Sequence, residues 1–388
     1  MATLKEAVIV AYGRSPIGRA TKGTLAGEYP VKLGSEVLKG VLEKVSNLPH
    51  DMIDDVIVGC ASQEDVQGLN MARMIVMRAG LPDCVCGQTV NRFCASGLQT
   101  IALAANAIAA DQADVIIAGG VESMSMLPMT VIDLTALDPY LFKTRAAAYS
   151  PMGTTAEIVA AKCQVSREAM DAFALQSHQK ASKAQREGDF KKEIIPVTYT
   201  DKEGQIQSFT DDECIKHNAS MESLGSLAAC FKENGSVTAG NSSPLNDGAA
   251  FVVMMSADKA KELNIIPIAK FIGFSVMGVD PAIMGLGPLF AIPKLLKRSG
   301  MSADQFDVIE LNEAFAAQAI PCMKHLNLNE AKVNPRGGAI ALGHPLGASG
   351  AILACKALSY LEDTKGTYGL ISMCIGAGMG AAGAIEMI

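Results

Sequence analysis

Short apolar runs alternate with longer amphipathic stretches in the first 120 residues of the chain. The runs are continuous in their apolar character, as in strands buried on both faces, whereas the stretches repeat their apolar positions at helical spacing. This pattern predicts strands at residues 7–11, 55–59 and 114–120 and helices at residues 31–45 and 96–110. Because such strands alternate with helices, we expect an α/β fold with a sheet covered on both faces.

The same order of elements returns about 250 residues later. A helical stretch at residues 290–298 precedes an apolar run at residues 307–310, and a further run begins at Tyr368. In both copies a Val-Asn pair lies upstream of a Ser-Gly pair that opens a helix, and the second copy has a longer glycine-rich loop between the two pairs. Similar short sequence segments in the same order and at a near-constant spacing indicate a duplicated α/β half.

The segment between the two copies has a different character. It carries more charge and includes a lysine-rich helical stretch at residues 167–187. We therefore predict an N-terminal half at residues 1–120 that is completed by about residues 245–266, a loop domain at residues 121–244, and a C-terminal half at residues 267–388. A subdomain inserted at a strand end of an α/β fold is well placed to cover a substrate.

Composition narrows the class of protein. With 388 residues and 49% hydrophobic side chains the chain can bury a large core, and its net charge of −7 argues against a nucleic-acid partner. The longest apolar stretches are interrupted well before a membrane-spanning length, so no membrane association is expected. Ten cysteines in a chain of this length, with no secretory segment in view, are typical of reduced thiols in a cytoplasmic enzyme. No metal site is expected.

Cys94 is the first candidate for chemistry. It lies between a predicted strand and the start of a predicted helix. A helix N-terminus presents free N–H groups and a positive dipole end, which favour thiolate over thiol and can lower a cysteine pKa to roughly 3.5–7.5. Position alone leaves the alternative that Cys94 is a small buried hydrophobe.

His344 stands in the long glycine-rich loop of the second copy. Glycines allow close backbone approach, and Pro345 fixes the chain directly after the imidazole. The repeat places this loop opposite the Cys94 loop, so a Cys–His pair is geometrically reasonable. We interpret the other four histidines, in charged or polar surroundings, as surface groups: His50, His178, His217 and His325.

Two more candidates lie where second-copy strands end. Cys374 closes the strand equivalent to residues 114–120, and Asn312 ends another strand and can orient a water or a carbonyl group. Glu313 has either a functional or a structural role. Because carboxyl ends of parallel strands gather at one edge, these side chains are expected near one another.

Taken together, these segments resemble the thiolase family across essentially the whole chain. The resemblance is carried by the Cys94 segment and by ordered motifs that begin at Ala118, Met152, Thr238, Asn246, Asn312, Gly343 and Cys374. It implies a thiolase-like fold of two duplicated α/β halves, each a five-stranded mixed sheet covered by helices, with an inserted loop domain. It also implies a homodimer or homotetramer.

The resemblance assigns roles to these residues. It implies that Cys94 is the nucleophile that carries the acyl group, that His344 activates it and helps hold the thioester oxygen, and that Cys374 is the acid and base. Asn312 would position a water in one oxyanion hole, and the N–H groups of Cys94 and Gly376 would form the other. Coenzyme A would be a substrate rather than a cofactor, bound by Ser243 and a tunnel lined by Met152, Phe231, Ala239, Met284, Ala314 and Phe315.

Two departures from common thiolase patterns bear on the substrate. Pro335-Arg336 stands in the glycine-rich loop, and Pro151 stands where the biosynthetic type often has histidine. Both resemble the degradative 3-ketoacyl-CoA thiolases, with a biosynthetic acetyl-CoA acetyltransferase as the alternative. A decarboxylating condensing enzyme or a non-catalytic CoA carrier fits less well, because both thiols are present. Lys216 and Lys232 are either contacts for CoA phosphates or solvated surface lysines.

Overall fold

The structure, a computed structural model of the protein, describes residues 4–127 and 137–388. Its strands in chain order are β1 (Ala7–Arg14), β2 (Gly18–Arg19), β3 (Asp55–Gly59), β4 (Cys86–Val90), β5 (Val115–Ser123), β6 (Val197–Thr200), β7 (Ile206–Phe209), β8 (Asn246–Ser256), β9 (Ala269–Gly278), β10 (Val308–Leu311), β11 (Tyr368–Ile375) and β12 (Met379–Met387). Its α-helices are α1 (Pro30–Glu43), α2 (Met71–Ala79), α3 (Ser96–Ala109), α4 (Pro139–Thr144), α5 (Met152–Cys163), α6 (Arg167–Glu187), α7 (Met221–Gly225), α8 (Ala257–Glu262), α9 (Pro288–Ser299), α10 (Ala316–His325), α11 (Ala339–Leu342) and α12 (Leu346–Thr364).

The strands of the two copies are joined edge to edge. In the described residues a ten-stranded sheet has the order β10-β11-β12-β9-β1-β8-β5-β3-β4, with β2 beside β8. Strands β1 and β9 join the copies through two residue pairs, Val8 with Lys270 and Ile9 with Ala269. The order β4-β3-β5-β8-β1 is mirrored by β10-β11-β12-β9, and an isolated parallel bridge to β10 stands in the position of the fifth strand. The duplicated α/β fold is confirmed, with two half-sheets that meet along a short seam.

Helices cover both faces of each half. The central core combines α3 and α12 with strand residues from both copies. Helices α1 and α2 cover the other face of the first half, and α9 and α10 cover the other face of the second half. The result is a succession of helix, sheet, helix, sheet and helix layers, which is why the apolar runs lack a polar alternation.

The first turns of the two central helices touch through glycines. A Cβ added at Gly97 of α3 would lie 2.8 Å from the backbone nitrogen of Ala351, and one at Gly350 of α12 would lie 2.2 Å from that of Leu98. A Cβ at Gly120, at the end of β5, would lie 2.0 Å from the carbonyl oxygen of Gly347. Because no side chain separates these backbones, the residues that precede each helix are brought close together.

Predicted elements agree well with the observed bounds. The strand predicted at residues 55–59 and the helix predicted at residues 167–187 coincide with β3 and α6. The first strand was expected to end at residue 11, yet β1 continues to Arg14. The guanidinium of Arg14 is fully buried, 2.7 Å from a Glu193 oxygen and 2.8 Å from an Asp212 oxygen, so ion pairing allows a charged residue inside this strand.

The domain bounds at residues 1–120, 121–244 and 267–388 stay a prediction.

In the described part of the chain, no helix is long and apolar enough to cross a membrane. The same residues contain no group of three or more His, Cys, Asp or Glu side chains arranged to hold a metal ion.

Candidate active site

Cys94 lies in a strained turn between β4 and α3. The turn is a single 3₁₀ segment, Phe93–Ala95, and Phe93 adopts a φ of 45°, a left-handed conformation that is costly for a bulky residue. Two side chains hold this conformation. The side-chain oxygen of Asn91 accepts the Phe93 N–H at 2.7 Å, and the Ser96 hydroxyl donates to the backbone carbonyl oxygen of Phe93 at 2.7 Å. The turn presents the Cys94 sulfur at a fixed place ahead of the central helix.

The resting state of Cys94 is a thiol rather than the thiolate that its position suggested. Burial raises the pKa of Cys94 to about 11, against the lowering effect of the backbone N–H groups of Gly376 and of Cys94 itself, and the Glu122 carboxylate raises it further. The expectation of a lowered pKa was therefore wrong for the free protein. The helix end and the two amides favour the anion, but removal of the sulfur from water costs more.

His344 is fixed by its backbone and by both ring nitrogens. Its N–H donates to the side-chain oxygen of Asn246 at 2.9 Å, and Gly343 just before it has a φ of 120°. The ring Nδ1 lies 2.5 Å from the Ser349 hydroxyl, and the ring Nε2 lies 3.3 Å from the side-chain nitrogen of Asn312. Burial lowers the pKa of His344 to about 4, so the imidazole is neutral at neutral pH.

Cys374 ends β11 and is fully buried beside Cys94. Burial raises its pKa well above the ordinary value, and the neighbouring Cys94 thiol contributes in the same direction. Two residues further on, a Cβ at Gly376 would lie 3.6 Å from the Met152 sulfur and 3.9 Å from the Phe93 ring. The backbone N–H of Asn312 donates to the Ser372 carbonyl oxygen at 2.9 Å, which places Asn312 directly after β10 and beside the strand that carries Cys374.

These contacts bring the four predicted catalytic side chains into one buried region. Cys94 and Cys374 are neighbours, Asn312 bonds to the strand that carries Cys374, and His344 contacts Asn312. A nucleophile, a neutral base and a second thiol can together move an acyl group and a proton.

The raised pKa of Cys94 predicts how its reactivity depends on pH. The thiolate fraction should rise about tenfold for each pH unit between 7 and 9, because the pKa lies above this range. We expect the rate of Cys94 alkylation by iodoacetamide, followed by mass spectrometry of the peptide that contains it, to rise in proportion. The control is an unstructured model peptide with one cysteine, whose rate should level off above a pKa of about 8.5. A rate of Cys94 alkylation that is flat from pH 6 to 9 would indicate a thiolate–imidazolium pair and contradict the raised pKa of Cys94.

The predicted tunnel residues fall into two groups, which are an apolar set around Phe315 and a pair on one neighbouring loop. Met284, Ala314 and Phe315 share a buried apolar cluster with Cys374, and Met152 packs against it. The Phe231 ring, 42% exposed, packs edge-on against Phe315 at 6.2 Å between centroids.

Ser243 and Ala239 flank the same cluster from one loop. The Ser243 N–H donates to the Ala314 carbonyl oxygen at 3.0 Å, and Ser242 forms a bridge with Phe315. Ala239 is exposed on the same loop. These residues form a wall that leads from the surface to Cys374.

Lys216 lies apart from this wall in the described contacts. Its side chain is exposed, and its backbone N–H donates to Nδ1 of His178 at 3.2 Å. Its role as a phosphate contact stays a prediction.

The interpretation of His178 as a surface group was wrong. The residue is 1% exposed because it lies on the inner face of α6, together with Ala174 and Ala181. Burial lowers the pKa of His178 to about 4, and the nearby Lys216 and His217 act in the same direction. Charged neighbours in sequence were a poor guide, since a helix points adjacent residues to different sides.

The role left open for Glu313 is structural. Its carboxylate accepts hydrogen bonds from the Ser177 hydroxyl at 2.6 Å and from the Asn334 side-chain nitrogen at 2.8 Å. It therefore ties α6 to the start of the loop that carries His344.

Sequence reasoning missed three residues that position the site. Asn246 and Ser349 hold His344, as described above. The buried Glu122 carboxylate accepts the N–H groups of Ala61 and Gly347, each at 2.8 Å, and so ties the first half to the start of α12. Glu122 and Asn246 lie inside the motifs that carried the resemblance, and a search of those motifs for buried polar side chains would have found them.

Comparison with known proteins gives one consistent result. A family model described as the thiolase N-terminal domain matches residues 7–258, and one described as the thiolase C-terminal domain matches residues 265–387. The chain is 46% identical over 392 residues to a 3-ketoacyl-CoA thiolase of Bacillus subtilis (strain 168), with 99% of this chain and 100% of that protein covered. Among solved structures it is similar to the Bacillus anthracis acetyl-CoA acetyltransferase, with a TM-score of 0.93 and 37% identity, and to the human mitochondrial 3-ketoacyl-CoA thiolase, with a TM-score of 0.91 and 36% identity. Both alignments cover 100% of both chains.

Proposed function

The chain belongs to the thiolase family, and we propose that it is an acetyl-CoA C-acyltransferase of the degradative type, a 3-ketoacyl-CoA thiolase. This acyltransferase cleaves 3-ketoacyl-CoA with a second coenzyme A to give acetyl-CoA and a shortened acyl-CoA. The observation that carries the proposal is the convergence of Cys94, Cys374 and His344 in one buried region. The identity to a 3-ketoacyl-CoA thiolase over the full length supports the substrate class.

The first half-reaction breaks a carbon–carbon bond. The Cys94 proton passes to Nε2 of His344 as the sulfur attacks the 3-keto carbon, so two neutral groups become a bound anion and a cation. The bond between carbons 2 and 3 then breaks, and its electron pair leaves with the acetyl-CoA fragment. Cys374 protonates that carbanion, which releases acetyl-CoA and leaves an acyl group on Cys94.

The second half-reaction transfers the acyl group. The thiolate of Cys374 takes the proton of the incoming coenzyme A thiol, whose sulfur attacks the thioester on Cys94. The Cys94 sulfur departs and recovers a proton from His344, which restores both neutral groups. Two successive half-reactions through one acyl-enzyme imply ping-pong kinetics.

Both half-reactions pass through oxyanions that need hydrogen-bond donors. We assign one set of donors to the backbone N–H groups of Cys94 and Gly376, since both already point at the Cys94 sulfur. We assign the other set to His344 and a water held by Asn312. Each donor of this kind stabilises the transition state by roughly 2.7–4 kcal/mol.

Coenzyme A is a substrate in this proposal, and no resident cofactor is required. The loop that carries Ser243 and Ala239, with Phe231, Phe315 and Met152, forms the pantetheine tunnel that ends at Cys374. We place the phosphates near Lys216, propose a homodimer or homotetramer, and take residues 121–244 as the domain that covers the tunnel. All ten cysteines are free thiols, which fits a reducing compartment such as the cytoplasm.

The alternative is a biosynthetic acetyl-CoA acetyltransferase, which joins two acetyl-CoA molecules. The similarity to the Bacillus anthracis acetyltransferase structure favours this candidate. The two activities share their chemistry and differ in the acyl chain that the site accepts.

A panel of substrates separates the two candidates. The panel contains 3-ketoacyl-CoA with chains of 4, 6, 8, 12 and 16 carbons, of which the 4-carbon substrate is acetoacetyl-CoA. We expect kcat/KM for at least one of the longer chains to exceed that for acetoacetyl-CoA. Release of acetyl-CoA is measured for each chain length at saturating coenzyme A. Activity confined to acetoacetyl-CoA would support the acetyltransferase, and no cleavage of any substrate would refute both.

A further inference from the structure

The Ser349 hydroxyl lies between two groups that compete for its single proton. Its oxygen is 2.5 Å from Nδ1 of His344 and 2.8 Å from the carbonyl oxygen of Pro345. A carbonyl oxygen only accepts hydrogen bonds, whereas Nδ1 can either donate or accept. The direction of the Ser349 hydroxyl proton therefore decides which imidazole nitrogen carries hydrogen.

One arrangement satisfies every group. If the Ser349 hydroxyl donates to Pro345, its oxygen accepts a proton from Nδ1, and Nε2 is left without hydrogen to accept the amide N–H of Asn312 at 3.3 Å. The reverse arrangement turns the hydroxyl toward Nδ1 and loses the bond to Pro345. It also places hydrogen on Nε2, which then requires the Asn312 amide to rotate so that its oxygen accepts.

We propose that Ser349 is a positioning residue that holds His344 in the Nδ1–H tautomer, so that Nε2 carries no hydrogen and can exchange the long contact with the Asn312 N–H for the proton of Cys94. Nothing in the family assignment gives Ser349 this role, and the proposal rests on the proposed function of His344. The location of Ser349 supports it. The residue is buried in the first turns of α12, and its hydroxyl is bonded back to the carbonyl four residues earlier, so the helix fixes its side chain.

The backbone of His344 reinforces the same orientation. The Asn246 side chain accepts the His344 N–H at 2.9 Å, and its own amide nitrogen donates to the Gly18 carbonyl oxygen at 2.9 Å. A Cβ at Gly343 would lie 2.5 Å from the Asn246 side-chain carbon, so the loop is packed directly against this anchor. With main chain and Nδ1 both fixed, the ring presents Nε2 toward Asn312 in one orientation.

The direct test is ¹⁵N NMR of the histidine rings in the wild-type protein, with His344 assigned through the signals lost in His344→Asn. We expect a protonated Nδ1 and an unprotonated Nε2 in the free protein at pH 7. A signal for Nε2–H would overturn the proposal whatever the enzyme turns over. The measurement needs no substrate, so it separates this proposal from the proposed function.

Kinetics of variants provide the second test. We expect Ser349→Ala to lower kcat by roughly 10- to 100-fold, as part of a general-base contribution of about 10²–10⁴, with little change in KM. Ser349→Thr, which keeps the hydroxyl, should recover most of kcat, and the NMR signals should follow the same order. The matched control is Ser359→Ala, which removes another buried α12 hydroxyl, bonded to Arg336 rather than to His344, and should leave kcat within about twofold. Wild-type kcat and an unchanged tautomer in Ser349→Ala would overturn the assignment.

Discussion

Replacement of Cys94 with alanine is expected to lower turnover of 3-ketoacyl-CoA by at least about 10⁴-fold, because the acyl group then has no sulfur to occupy. The variant should keep its fold, since the change removes one atom from a turn that Asn91 and Ser96 hold through other groups. Turnover is measured as acetyl-CoA release at saturating substrate.

Intact-mass spectrometry gives the matching structural readout. Wild-type protein mixed with 3-ketoacyl-CoA, without free coenzyme A, should gain the mass of one acyl group, and Cys94→Ala should gain none. Cys84→Ala, which removes an exposed thiol away from the site, is the control and should both turn over and acylate like wild type. Equal turnover in wild type and Cys94→Ala would show that the nucleophile is wrongly assigned.

Replacement of Cys374 with alanine is expected to separate the two half-reactions. Cleavage of the carbon–carbon bond should fall by about 10²–10⁴-fold, because the departing carbanion loses its proton donor. Exchange of labelled coenzyme A into a saturated acyl-CoA needs no carbanion and uses Cys94 directly. It should therefore fall much less, by about tenfold, because an incoming thiol with an ordinary pKa of about 8.5 is partly ionised in water and depends less on a general base than the carbanion depends on its acid.

The control for this variant is Cys322→Ala. Cys322 is another buried thiol close enough to Cys374 to influence its pKa, but its sulfur contacts the Gly285 carbonyl oxygen at 3.7 Å on the α10 side. Cleavage and exchange should both stay close to wild type in Cys322→Ala. Equal losses of cleavage and exchange in Cys374→Ala would mean that cleavage has no special need for Cys374, and the role of Cys374 as proton donor to the carbanion would be wrong.

The layered α/β fold was predictable because burial on both faces leaves a direct mark on composition. The central residues of β3 and β5 are buried and apolar on both faces, and so the runs at residues 55–59 and 114–120 identified them. The duplication was predictable from order and spacing. The seam between β1 and β9 was not, because two backbone pairs require no particular side chain.

Motifs were enough to select the proposed catalytic side chains, but the protonation states of these side chains were predicted only in part. Motifs located Cys94, His344, Cys374 and Asn312, but motifs carry no information about access to water. The pKa of Cys94 is raised by burial, which depends on residues far apart in sequence. The prediction that His178 is a surface group was wrong for the same reason, because its burial depends on residues far away in sequence. The contact between His344 and Ser349 could not be predicted either, because it forms only when α12 places the two side chains side by side.

The glycine contact between the two central helices makes backbone atoms the spacer between the proposed nucleophile and the proposed base. Backbone atoms alone set the distance between the turn that contains Cys94 and the loop that contains His344. A methyl group added at Gly120 or Gly350 would therefore push these two segments apart. Because β1 and β9 join the two half-sheets through only two residue pairs, the sheet offers little resistance to such a displacement. Positions that take no part in the proposed chemistry thus limit which substitutions this fold can accept next to the site.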